Sequence, residues 1–204
     1  MSRKAMLLAV VFSCLVGVTL LLVSLFLLGR GSESDSQPTS EDLPQQAEDF
    51  LNQVNEYHSS VKGYSIRFPE DWTNNPSRID IGTTSTDVFY ALHPSEGASV
   101  APTLSITSES LPSGATSKDY LEARLSFLDS VGAEVSKPRP VEVDGVDAYL
   151  IDYKGYSRKY PLEATSVVLV KDGLGWEFTF SVPVGQRSEF RPLLAFVLRS
   201  VSIP

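Results

Sequence analysis

The sequence predicts an α+β domain, a mostly antiparallel sheet covered by a few helices, preceded by one transmembrane helix. Three observations carry that expectation. Short stretches of period-two apolar alternation fill most of the chain after residue 63, and Asp-Gly pairs separate two couples of them. Helical apolar spacing appears at only a few places, around Leu121 and Leu194 and more loosely before residue 61. One uninterrupted apolar run lies near the start.

That run, Ala5 to Leu28, is 24 residues without a charge. As a helix it reaches about 36 Å, enough to cross roughly 30 Å of hydrocarbon. Arg3 and Lys4 precede it, and beyond Arg30 the chain turns acidic with Glu33, Asp35, Glu41 and Asp42. The denser positive charge is expected in the cytoplasm, which puts the rest outside. Gly29-Arg30-Gly31 also offers a small-x-small cleavage pattern, and Val11 to Cys14 faintly resembles a lipobox. Phe12 is bulky for a lipobox, however, and lipidation would leave Leu15 to Leu28 as an apolar tail. The expected organisation is a cytoplasmic stub (1–4), a signal anchor (5–28), a flexible acidic linker (29–46) and an extracytoplasmic domain (47–204), on a single-pass cell-membrane protein. The linker is polar, with Pro38 and Pro44, and has too little apolar area to pack.

Composition narrows the function classes. Of 17 basic residues only Arg3, Lys4 and Arg30 precede residue 31, so 14 face 25 acidic residues in the remainder. A domain that acidic repels polyanions, and nucleic acid is excluded as a partner class. The single cysteine, Cys14, falls in the apolar run, so neither an intrachain disulfide nor a thiol catalyst is available to the domain.

Within the domain, Phe50, Val54, Tyr57 and Val61 follow helical spacing and are expected to form a short amphipathic helix, with strand pairing from Tyr57 as the alternative. In GYSIRFPEDWT, residues 63–73, Tyr64, Ile66 and Phe68 share one face of a strand that Pro69 ends. Further strands are expected over Arg78–Ile81, Asp87–Leu92, Thr103–Thr107 and Glu134–Val143. Asp144-Gly145 turns into Val146–Tyr153, and Asp172-Gly173 joins Leu162–Val170 to Trp176–Val182. In the last of these, Trp176, Phe178, Phe180 and Val182 point inward and Glu177, Thr179 and Ser181 the other way. Thr116 and Asp119 make a capping box ahead of a helix whose stripe is Leu121, Leu125 and Leu128, with Gly132 as its stop. A second helix carries Phe190, Leu193, Leu194, Val197 and Val201, with Pro192 expected in its first turn and SVSIP as a brief last strand.

The series GYSIRFPEDW, TLSIT, ATSKDYLEARLSFL, VDGVDAYLIDY, WEFTFSVP and LRSVSI resembles the PsbP/Mog1-like superfamily over Gly63 to Ile203. The resemblance implies an α/β/α sandwich in which Glu70 and Asp71 are turn residues rather than an acid/base pair, with Trp72 over the domain edge. Members act mostly as non-enzymatic partners, in photosystem assembly, in GTPase binding or as exported bacterial proteins. No metal-binding or GTPase-binding residue of those branches is matched, so the resemblance carries a fold and the idea of a binding module.

Residue chemistry adds little to that. His58 and His93 have no metal-ligand spacing, and no nucleophile elbow, phosphate loop or dinucleotide fingerprint occurs. No catalytic residue, cofactor or metal is assigned. One cluster stands out from the acidic background: YKGYSRKY, residues 153–160, sets Lys154, Arg158 and Lys159 beside Tyr153, Tyr156 and Tyr160 on an expected hairpin tip. Lys154, Tyr156, Arg158 and Lys159 are the candidate partner-binding residues, since Tyr and Arg favour interfaces and rigid sheets carry binding loops. The bland reading is a solvated hairpin with its tyrosines packed on neighbouring strands. The expected function is a membrane-tethered binding or assembly module acting on another envelope protein. A small-ligand carrier or a small hydrolase using His58 or His93 is the alternative.

Overall fold

The computed structural model describes residues 54–60, 62–81, 84–91, 100–156 and 161–204. The expected anchor and linker lie outside them. Among the described residues no helix is long and apolar enough to cross a membrane.

The elements are β1 (Val54–His58), β2 (Ser65–Pro69), β3 (Trp72–Ile81), β4 (Thr84–Ala91), β5 (Thr103–Ser110), α1 (Ser117–Ser130), β6 (Glu134–Val135), β7 (Arg139–Val143), β8 (Val146–Lys154), β9 (Leu162–Lys171), β10 (Leu174–Pro183) and α2 (Arg187–Ser200). β1 and β2 form a two-stranded sheet. The main sheet runs β3-β4-β5-β10-β9-β8-β6, with β7 also on β8, and every pairing is antiparallel. This is the expected α+β architecture. Both Asp-Gly turns have φ positive at both residues, 51° and 73° at Asp144 and Gly145, 51° and 77° at Asp172 and Gly173. Those values match the primed hairpin turns that the twist of paired strands favours.

The two faces of the sheet hold separate cores. Trp176, Phe178, Phe180 and Val182 pack with Val167, Leu169, Leu104 and Ile106 against Leu193, Leu194 and Val197 of α2 and against Tyr64, Ile66 and Phe68 beside it. On the opposite face Tyr120, Leu121, Phe127 and Leu128 of α1 cover Ile151, Ala164 and Val168. Cover on both sides explains why β9 is buried from Leu162 to Leu169 rather than on alternate residues, with Glu163, Thr165 and Ser166 among the buried side chains. The capping box of α1 forms as the sequence predicts: Asp119 N–H donates to Thr116 Oγ1 at 3.2 Å, and Thr116 N–H to Asp119 Oδ2 at 2.9 Å.

The structure corrects several expectations. Val54 to His58 is a strand rather than part of a helix, pairing with β2 from Val54↔Pro69 to His58↔Ser65. The edge of β2 offers backbone hydrogen bonds, and Tyr57 gains an edge-on contact with Phe89 at 5.2 Å. Trp72 sits in the main core, stacked on Phe180 at 5.8 Å, rather than over the domain edge. Glu134–Val143 is two strands, because the chain breaks at Ser136 to Pro138 and Ser136 N–H bonds Asp152 O. Pro192 lies inside α2, beyond its first turn. The final strand shortens to one bridge, Ser65↔Ser202.

Candidate functional site

The expected hairpin tip is the connection between β8 and β9, whose register runs to Lys154↔Glu163. Arg158, Lys159 and Tyr160 lie outside the described residues. Lys154 is exposed, with Nζ 3.1 Å from Glu134 Oε2 across the β6 pairing. That pair is solvent-facing and worth well under about 1 kcal/mol, so a partner carboxylate can replace Glu134 at little cost.

Tyr153 and Tyr156 follow the bland reading, packing on neighbouring strands. Tyr153 is buried beneath α1, with its hydroxyl 3.1 Å from Ser166 Oγ and accepting from Arg124 Nη2 at 3.4 Å. Tyr156 is half-buried, its ring edge-on to Tyr153 at 5.2 Å and its hydroxyl donating to Ser181 Oγ at 3.1 Å. Burial pushes the Tyr156 hydroxyl well above its usual range, so it stays protonated as a donor. Tyr156 therefore roots the connection in the sheet and offers a partner only part of its ring.

The other end of the connection is held by charge. Glu163 Oε1 accepts from the backbone N–H groups of Gly185 (3.1 Å) and Arg187 (2.8 Å), and Oε2 from Arg187 Nη2 at 2.6 Å. Gln186, the N-cap of α2, makes no side-chain cap bond, so Glu163 from β9 caps the helix and meets its positive dipole end. Asp152 accepts from Arg139 Nη2 at 3.0 Å and Thr165 Oγ1 at 2.6 Å. β8, β9 and the start of α2 are thus locked together at the base of the connection.

A residue absent from the sequence reading completes this corner. Val184 is the one large hydrophobic side chain that is exposed among the described residues, at 52%. Its backbone N–H donates to Pro161 O at 3.0 Å, which places it against the β9 end of the connection. Alternation along β10 would continue the inward row to Val184, but the strand ends at Pro183, and the tertiary bond to Pro161 brings Val184 to the candidate loop.

Beneath α1 lies a second concentration of polar groups. Glu177, Thr179 and Ser181 point away from the Trp176 row as expected, yet Glu177 is buried. Its Oε1 lies 2.8 Å from Arg124 Nε and accepts from Ser166 Oγ and Thr179 Oγ1, each at 3.0 Å. Arg124 is as buried as its partner, and its guanidinium rests over the Phe127 ring at 4.9 Å. His58, the described member of the two histidines, is exposed on β1 beside Glu56 at 3.4 Å. His93 lies outside the described residues.

With the geometry in place, comparison with known proteins defines the fold. No protein-family model matches the sequence, and no curated protein is similar to it. Among solved structures it is similar to the cyanobacterial PsbP of Synechocystis sp. PCC 6803, at 18% identity and a TM-score of 0.57, covering 74% of this chain and 93% of that one. It is similar to Mog1 at 9% identity and a TM-score of 0.51, covering 74% and 96%. It is also similar to LpqN, described as involved in cell envelope biogenesis of Mycobacterium tuberculosis, at 12% identity and a TM-score of 0.51, covering 78% and 96%. The domain has the PsbP/Mog1-like fold. At these identities the likeness speaks for architecture alone.

Proposed function

We propose that this chain is a membrane-tethered, extracytoplasmic binding or assembly module that acts on another envelope protein through the corner formed by the β8–β9 connection and Val184. The observation that carries the reading is the exposure of Val184 against Pro161, at the β9 end of a connection whose β8 end carries the exposed Lys154, on a framework held by Glu163. A rigid base lowers the entropy lost when a loop is captured. The apolar run at 5–28 supports a tether, and confinement to a membrane raises the effective concentration for a membrane partner. The similarity to LpqN, with its part in envelope biogenesis, fits the same reading. The partner surface is acidic, to meet Lys154, Arg158 and Lys159, with an apolar patch for Val184.

The test is crosslinking co-purification of the full chain from gently solubilised membranes, alongside a K154E/R158E/K159E variant. A specific membrane or envelope protein captured by the wild type and lost from the variant supports the reading. Equal capture by both removes the corner from the account, and no enrichment in either removes the adaptor.

A further inference from the structure

We propose that Glu109 and Glu177 form a proton-binding site beneath α1 that couples the docking of this helix to pH. Their strands are neighbours, and the register Glu109↔Gly175 and Thr107↔Glu177 makes the two glutamates diagonal neighbours on the α1 face. Both are nearly fully buried. Glu177 is satisfied by Arg124, Ser166 and Thr179. Glu109 differs: the Tyr120 hydroxyl donates to its carboxyl, while Oε1 is buried with no hydrogen-bond partner. Tyr120 reaches it by lying over Gly175, where the missing Cβ leaves room for the ring.

The groups facing Glu109 are Tyr120 and Arg124 from α1 and Glu177 from β10, with Thr84 opposite on β4 and Tyr153 of β8 beyond Arg124. One guanidinium therefore serves two carboxyl groups. A proton on Glu109 neutralises the second charge, which burial disfavours. Burial first, and then the Glu177 charge, push Glu109 up from 4.5 to about 7, against the lowering influence of Tyr120 and Arg124. A carboxyl raised in the folded state stabilises it fully below pH 4.5, and that contribution is lost as pH rises through about 7. Tyr120 and Arg124 both belong to α1, so the loss falls on this helix while α2, on the other face, keeps its packing.

The direct test is native-state amide exchange by NMR between pH 6 and pH 8, corrected for intrinsic exchange. Protection at Tyr120 to Leu128 should fall about tenfold relative to α2, as follows for a group titrating near 7. E109Q should abolish that pH dependence. Carboxyl 13C titration of the wild type gives an independent reading should the variant fail to fold. A Glu109 midpoint between 4 and 5 overturns the proposal, as do equal losses in α1 and α2 or an unchanged pH dependence in E109Q.

Discussion

Gly175→Ala tests how α1 is seated. A Cβ on Gly175 would stand 2.9 Å from Leu111 Cδ1, 3.2 Å from Leu111 Cγ and 3.1 Å from Tyr120 Cζ. Carbon atoms in comfortable contact are about 3.5–4.0 Å apart, so both neighbours must retreat by about half an ångström. Leu111 is half-buried and can turn its end away. Tyr120 cannot, because its ring is buried and its hydroxyl is committed to Glu109. Overpacking of this kind destabilises by about 1–3 kcal/mol. Replacing a strand glycine by alanine acts the other way by about 0.5–1 kcal/mol, through the entropy of the unfolded chain. φ at Gly175 is outside the left-handed region, so no backbone strain adds to the steric effect. The net loss should be about 0.5–2 kcal/mol, read as a lower urea midpoint at unchanged slope. A variant as stable as wild type, or more so, would show that Tyr120 is not wedged on the sheet and would refute the reasoning.

Other substitutions probe separate parts of the account. Arg124→Ala strands Glu177 as a buried charge and should lower stability by about 3–5 kcal/mol in denaturant titration, while adding Glu177→Ala should recover part of the loss. Thr116→Ala removes the α1 cap and should cost about 1 kcal/mol by the same measurement. Val184→Ser should leave stability within about 0.5 kcal/mol, being exposed, yet weaken partner capture in the crosslinking assay.

The parts of the fold that were legible in the sequence are the locally determined ones. The Asp-Gly turns, the Thr116–Asp119 capping box and the alternation from Trp176 to Val182 each depend on a few adjacent residues, and all are present in the structure. The resemblance carried by the GYSIRFPEDW and WEFTFSVP stretches reached the correct fold. Errors arose where distant residues decide. The spacing of Phe50, Val54, Tyr57 and Val61 mimics a helical face, but β2 supplies a pairing edge and Phe89 a ring to pack on. Leu121, Leu125 and Leu128 mark the correct face of α1, whereas Arg124 on that face is explicable only once Glu177 is known to lie beneath it. The strand order, with β10 between β5 and β9, has no local signature at all.

The candidate site was legible in part for the same reason. A cation cluster can be read from residues in a row, and the structure places Lys154 at its exposed start. Tyr153 and Tyr156 look alike in sequence, yet packing and the Ser166 and Ser181 hydroxyls turn both into the roots of the connection. Val184 is distant in sequence and joins the corner through Pro161.

The most direct test of the binding-module account is photocrosslinking from single positions in the membrane-embedded full chain. A photoreactive side chain at Lys154 or Val184 is compared with one at Lys118, which is exposed on α1. The account predicts one discrete adduct with another envelope protein from positions 154 and 184 and none from 118. Adducts from 118 alone, or from none of the three, would contradict it.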